Sequence, residues 1–318
     1  MVMASTQVRE EIAISVNSPL LSIVVPVFNG SKKIEIALQR LKDKIEKLES
    51  VVAKLEGQGE SQEKSFVRPV KNDGRTSVFG KSEDARYYPD PSYSMDSGLP
   101  WYEIIVVNDG SADGTRNIVS RISAFDETIR LISYSINMGK GYAIKQGVLH
   151  SRGKYVMFLD GDGEISTDVL SKYLEHMATA DIVIASKYHP LSVVNVPTSR
   201  RFLSKCFHLF VKLMLGIKVS DTQVGLKAGN GDRFRKIFQR VMVKRYAFDA
   251  EMLAVAGIMG LKVDELPVNI DLDKSFKKKE IVKMALDILG VAFRLRVVKW
   301  YQNNMEKQRP YYRALMLA

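Results

Sequence analysis

Residues 156–164 read Val-Met-Phe-Leu-Asp-Gly-Asp-Gly-Glu, an apolar run that ends in carboxylates spaced two apart. Side chains alternate faces along a strand, so Asp160 and Asp162 share a direction if the strand continues. Gly161 and Gly163 let the backbone turn there instead. In either case Asp160, Asp162 and Glu164 crowd the carboxyl end of a buried strand. Three hard oxygen donors suit Mg²⁺ or Mn²⁺, which keep several waters and are shared with substrate phosphates. The other reading of the same residues is an acidic turn, because turn geometry selects Asp and Gly by itself.

A chemistry that handles phosphates also needs cations, and the net charge of +11 is unevenly placed. Residues 200–218 carry Arg200, Arg201, Lys205, Lys212 and Lys218 and no acid. Residues 274–318 carry eleven Lys or Arg against Glu280, Asp287 and Glu306. Nucleic acid and an anionic membrane surface both answer to such segments. The single cysteine, Cys206, rules out an internal disulfide and fits a reducing compartment. The first eighteen residues hold Arg9, Glu10 and Glu11 with no long apolar run, so no secretory signal is expected. No run of eighteen uncharged apolar residues occurs, and no membrane-spanning helix is expected.

The elements that must position these residues alternate. Residues 20–27 are an apolar, β-branched first strand with Pro26 near its end. Ile34, Ala37, Leu38, Leu41, Ile45, Leu48 and Val52 then recur at helical spacing. Residues 56–100, rich in Gly, Ser, Asp, Lys and Pro, predict a solvent-exposed, flexible insertion. Strands are expected at 101–107, 129–134, 154–159 and 181–185. Helices are expected from about 113, over 138–150 and over 167–177. That alternation predicts a mostly parallel α/β sheet covered on both faces, with ligands at the carboxyl ends of its strands. Pro26 to Asn29, Asn108 to Ser111 and Asp160 to Glu164 all fall there. Residues 200–217 and 281–300 are basic amphipathic helices. They read either as helices lying in a bilayer interface or as core helices with solvated basic faces.

Pro26-Val-Phe-Asn29, Val107-Asn-Asp-Gly-Ser-Ala-Asp-Gly-Thr115, Asn137-Met-Gly-Lys-Gly141, Leu159-Asp-Gly-Asp-Gly163 and Asp221-Thr-Gln-Val-Gly-Leu-Lys227 succeed one another in that order. With them the chain resembles glycosyltransferase family 2, in its branch of polyprenyl-phosphate sugar synthases. The segments Asp221 to Lys227 and Arg245-Tyr-Ala-Phe-Asp-Ala-Glu251 look more like dolichyl-phosphate glucosyltransferases than mannose synthases. The resemblance spans about residues 20–300, interrupted by the insertion. It implies an A-type glycosyltransferase fold: a mostly parallel nucleotide-binding sheet flanked by helices, with interfacial amphipathic helices on its C-terminal side. Its parts would be a tail at 1–18, a catalytic domain at 19–270 and a basic membrane-interface segment at 271–318.

The resemblance also implies roles. Asp109 contacts the base or ribose of the donor, with Asn108, Asn29 and Asp160 beside it, while an Asx turn is its bland alternative. Pro26 and Phe28 form a wall for the base, or are core. Gly139 and Lys140 with Gly141 meet a phosphate or hold the neighbouring loop. Asp162 binds the metal, assisted by Asp160 and Glu164, and the metal bridges the donor diphosphate. Lys187, Arg200 and Ser204, with Lys277, hold the acceptor phosphate. Asp221 and Gln223 belong to the catalytic set.

Three departures stand out. Gly30 replaces a Glu usual in the first motif, Lys187 stands where Arg is usual, and no membrane-spanning pair comes after residue 300. Membrane contact then depends on the interfacial helices or on a membrane-anchoring partner subunit. The expected reaction is inverting transfer of a hexose, glucose from UDP-glucose, onto polyprenyl (dolichyl) phosphate at the cytosolic membrane face. GDP-mannose is the alternative donor. A basic nucleic-acid-binding protein is the non-enzymatic alternative, disfavoured because large aliphatic residues interleave the basic segments and no nucleic-acid motif occurs.

Overall fold

The structure, a computed structural model, describes residues 18–48, 100–159, 170–195, 198–271 and 278–304. Its centre is a seven-stranded sheet in the order β3-β2-β1-β4-β7-β5-β8. The strands are β1 (Leu21–Val27), β2 (Tyr102–Asp109), β3 (Ile129–Tyr134), β4 (Tyr155–Phe158), β5 (Ile182–Ser186), β7 (Lys227–Asn230) and β8 (Val263–Pro267). A second, two-stranded sheet pairs β6 (Val193–Asn195) with β9 (Asn269–Asp271). Every pairing is parallel except those of β7, which runs antiparallel to both β4 and β5.

The first five expected strands are present within one or two residues at each end. β6, β7, β8 and β9 have no counterpart among the expected strands. The expected strand over 154–159 ends at Phe158. Residues 160–169 lie outside the described residues, as does the insertion at 56–100.

Both faces of the sheet are covered because its central strands are apolar on both sides. Ile23, Val25, Ile104, Val106 and Met157 point to one core. That core is closed by α1 (Ile34–Glu46), α2 (Thr115–Phe125) and α4 (Leu170–Met177). Val24, Ile105, Val107, Val156 and Phe158 point to the other. There they meet α3 (Lys140–Leu149), α6 (Gly231–Arg240) and α7 (Phe248–Ile258), whose Phe234, Phe238 and Phe248 surround the Phe158 ring at 5.9–6.1 Å. α6 starts where the Asn230 side chain accepts the N–H groups of Asp232 and Arg233.

The two basic helices, α5 (Thr198–Leu215) and α8 (Lys278–Ala292), turn out to have two apolar faces each. Val211, Leu215, Met284, Ile288 and Val291 are buried, all but Met284 in the second core. Phe207 and Phe210 are only partly buried and pack on that core too. The outward apolar residues are others: Leu203, Leu209 and Leu213 on α5, and Val282, Leu286 and Leu289 on α8. Phe293 and Val297 continue that stripe on a π-helical turn, Phe293–Val297, which precedes α9 (Trp300–Asn303). Among the described residues no helix is long and apolar enough to cross a membrane.

Candidate active site

The register Val27↔Asn108 brings the residues after β1 and β2 to one level at the carboxyl edge. There Asn29, with a left-handed φ of 51°, donates its N–H to Ser111 Oγ (2.9 Å). Its side-chain Oδ1 accepts from Ala112 N–H (3.0 Å). Asn tolerates that conformation better than most residues. Gly30 N–H donates to Thr115 Oγ1 (2.9 Å) and Ser31 N–H to Asp113 Oδ2 (3.1 Å). The Thr115 hydroxyl, with the Ser31 and Thr115 N–H groups, holds the Asp113 carboxyl well below the usual range. Asn29 therefore ties two loops together. Phe28 is half exposed just beyond the end of β1, while Pro26 stays within that strand.

Asp109, at the end of β2, is buried, and both carboxylate oxygens are engaged. Oδ1 accepts from Met138 N–H at 2.8 Å and Oδ2 from Gly139 N–H at 2.9 Å. The Asx-turn alternative placed this side chain on the helix after it; instead it grips the loop entering α3. Each oxygen keeps a further acceptor site. Asn108 beside it donates to Ser133 Oγ at 3.0 Å, while its buried Oδ1 has no protein partner. Gly139 has φ +100°, which only glycine adopts readily, and a Cβ on Gly141 would lie 2.7 Å from the Arg245 carbonyl oxygen. The Gly-Lys-Gly motif thus holds the neighbouring loop, and Lys140 is the first residue of α3.

At the end of β5, Lys187 donates its backbone N–H to Asp221 Oδ2 (2.9 Å) and places Nζ 3.3 Å from the same carboxylate. Asp221 is buried, and its Oδ1 accepts from Gln223 N–H at 2.9 Å. Gln223 turns its amide to Thr222 Oγ1 at 3.2 Å. Tyr188 shares a hydrogen bond of 3.1 Å with Ser204 Oγ on α5, and its ring lies 5.9 Å from that of His208 one turn later. Burial pulls the His208 pKa below its ordinary value against the attraction of Asp221, and its Nδ1 is buried without a protein partner. His208 and Tyr188 were missed in the sequence; no spacing singles out a histidine inside an amphipathic helix.

Two motif acids, Asp249 and Glu251, are buried and paired within the protein. Asp249 Oδ1 lies 2.6 Å from Nζ of Lys227, which is sealed under the Phe158 ring and also reaches the Val224 carbonyl at 2.5 Å. Glu251 is fully buried and accepts from Met242 and Val243 N–H and from Arg294 and Tyr301.

Asp160, Asp162, Glu164 and Lys277 lie outside the described residues, as does the side chain of Arg200, which belongs to the first turn of α5. Among the described residues no group of three or more His, Cys, Asp or Glu could hold a metal ion. The donor set of the undescribed run, three carboxylates in five residues, is nonetheless chemically that of a hard divalent cation.

A family model described as glycosyl transferase family 2 matches residues 96–238. A dolichyl-phosphate beta-glucosyltransferase of Trichomonas vaginalis is 32% identical over 246 residues, covering 74% of this chain and 72% of that protein. An undecaprenyl-phosphate mannosyltransferase of Micrococcus luteus is 30% identical over 209 residues, covering 64% and 83%. Among solved structures, glucosyl-3-phosphoglycerate synthase from Mycobacterium tuberculosis, in complex with Mn²⁺, UDP-glucose and phosphoglyceric acid, superposes with a TM-score of 0.51. The match has 14% identity over 88% of this chain and 80% of that one, a likeness of fold. The sheet is that of an A-type glycosyltransferase, and the chain belongs to glycosyltransferase family 2 as a glycosyltransferase.

Proposed function

We propose that this enzyme transfers glucose from UDP-glucose to a polyprenyl (dolichyl) phosphate, inverting the anomeric carbon, at the cytosolic face of a membrane. The observation that carries the reading is that Asp109, and the Lys187–Asp221 pair with Tyr188–Ser204, lie at the carboxyl ends of β2 and β5, on the same side of one sheet. This occurs in a chain akin to a dolichyl-phosphate beta-glucosyltransferase.

On this reading the base stacks on Phe28 near Pro26, and the remaining acceptor sites of Asp109 and Asn108 Oδ1 meet the base or ribose, with Asn29, Gly139 and Lys140 holding that pocket in shape. Asp160, Asp162 and Glu164 would hold Mg²⁺ or Mn²⁺, which when bound offsets charge on the donor diphosphate. An oxygen of the acceptor phosphate attacks the anomeric carbon while the bond from that carbon to the diphosphate oxygen breaks, and UDP leaves. The acceptor's second pKa is near ~6, so its attacking oxygen is already an anion. No protein nucleophile or strong base is needed.

The chain's task is to bring two anions together in line. Lys187 retains N–H donors beyond the one turned to Asp221, and Arg200, Ser204 and Lys277 complete the acceptor-phosphate set. Asp221 and Gln223 fix the Lys187 backbone and the turn before β7.

The outward stripe of Leu209, Leu213, Leu286, Leu289 and Phe293, bordered by exposed Lys205, Lys212, Arg296 and Lys299, supports docking of α5 and α8 on an anionic bilayer. A second donor reading, GDP-mannose, is favoured by the kinship to the mannosyltransferase.

Incubating the protein with UDP-glucose, UDP-galactose or GDP-mannose and a short polyprenyl phosphate, with detection by mass spectrometry, tests the reading. A lipid-linked hexose from UDP-glucose supports it. A product from GDP-mannose alone moves the assignment to mannose, and no lipid-linked product from any donor removes the proposal.

A further inference from the structure

The loop 241–245 between α6 and α7 crosses the backbone that enters α3. Tyr142 N–H donates to the Lys244 carbonyl (3.0 Å). A Cβ on Gly139 would lie 2.5 Å from the same carbonyl oxygen, and one on Gly141 2.8 Å from that of Val243, so the two segments touch backbone to backbone. Lys145 on α3 adds a hydrogen bond from Nζ to the Val241 carbonyl (2.6 Å).

On its far side this loop hangs on one side chain. Glu251 Oε2 accepts from Met242 N–H at 2.8 Å and Val243 N–H at 2.7 Å. Its Oε1 accepts from Arg294 Nη2 at 3.1 Å and from the Tyr301 hydroxyl. Arg294 Nε in turn donates to the Tyr301 oxygen at 3.0 Å. All the partners of Glu251 are donors. A carboxylate satisfies four of them; an amide would present its NH₂ to one pair. Both Glu251 and Tyr301 are fully buried, so an unmet donor there has no water to turn to.

We propose that Glu251 is a positioning residue for the donor pocket. It locks loop 241–245 to the C-terminal segment, and so fixes the Met138–Gly139 backbone that Asp109 grips. The inference rests on the reading of the Asp109 pocket as the donor site. Its consequence is that the segment bearing the Phe293 stripe and the nucleotide pocket share one carboxylate, so disturbing Arg294 or Tyr301 is felt by the donor although neither residue is at the sheet edge. Chains of packed groups and hydrogen bonds can carry coupling between separated sites, and each link here is a hydrogen bond or a backbone contact.

The test is titration of UDP with Mg²⁺ into the full chain, as wild type, Tyr301→Phe, Glu251→Gln and Asp109→Ala, with thermal unfolding and steady-state kinetics on each. Tyr301→Phe and Glu251→Gln are expected to raise the UDP Kd and the donor KM about fivefold or more, with acceptor KM unchanged. A merely structural role would lower the active fraction, reducing kcat and leaving both KM values alone. Tyr301→Phe keeps the ring in place, so it decides alone if Glu251→Gln does not fold. Unchanged donor KM in folded Tyr301→Phe overturns the inference. If Asp109→Ala binds UDP as wild type does, the donor-site reading itself falls. If Asp109→Ala loses UDP while both other variants keep it, only the positioning role of Glu251 falls.

Discussion

Lys227 sits on β7 with no access to solvent, and a buried ammonium persists only with a carboxylate and further acceptors around it. Asp249 and the Val224 carbonyl supply them. Asp249→Asn removes the compensating charge and is expected to cost ~3–5 kcal/mol of stability, read as a lower urea midpoint. At the opposite end of the sheet, burial works to raise the Glu103 pKa. Hydrogen bonds from Ser22, Arg152 and Arg130 prevail and hold it below its ordinary value. A carboxylate with a depressed folded pKa stabilises the fold fully above its unfolded value, about 4.3 for Glu. That contribution is lost as the pH falls through the folded value. Unfolding temperatures between neutral pH and pH 3 should therefore fall less steeply for Glu103→Gln than for wild type; equal slopes would show that Glu103 does not set the acid limb. At this scale the sequence was legible in part. The motifs singled out Asp109, Asp221, Lys227 and Glu251, but the spacing of a carboxylate does not say whether backbone N–H, a lysine or a ligand will face it. Only the fold showed that Asp109 reaches a loop nearly thirty residues on.

Among the elements, the strands flanked by clear helical periods were readable because both faces of the sheet are apolar and the pattern switches sharply. β7 and β8 were not. Lys-Ala-Gly-Asn and Val-Asp-Glu-Leu-Pro carry little β-branched or alternating character, and their pairing is set by tertiary context. The basic helices were legible as amphipathic but not in orientation. A helix apolar on two sides satisfies the core with one face and leaves a second apolar stripe exposed, and the sequence pattern alone does not say which residues take which side. The pair Leu286→Asp and Phe293→Asp, both outward-facing, should leave the unfolding temperature within a few degrees of wild type. The same pair should abolish flotation with anionic vesicles. An analogous Ile288→Asp, on the buried face, should unfold the protein. If Leu286→Asp with Phe293→Asp still floats, the stripe is not the docking face.

At the scale of the whole molecule, the proposed function assigns membrane approach to the +11 charge and the outward stripe, and chemistry to the carboxyl ends of the strands. Vesicle binding should rise with anionic lipid, at ~1 kcal/mol per basic residue near the surface. A salt-resistant remainder should persist from apolar burial of ~25 cal/mol per Å². Complete release at high salt would leave only electrostatic adsorption. Asp162→Asn should abolish transfer in both Mg²⁺ and Mn²⁺ without altering the unfolding curve, and activity within a few-fold of wild type would remove that carboxylate from the mechanism. The central claim is a single displacement in which the acceptor's own phosphate is the nucleophile. The anomeric configuration of the lipid product, read by proton NMR after reaction of UDP-glucose with a short polyprenyl phosphate, tests it most directly. The account predicts a β-linked glucosyl phosphate from the α-linked donor; an α-linked product, or glucose released to water with none on the lipid, would contradict it.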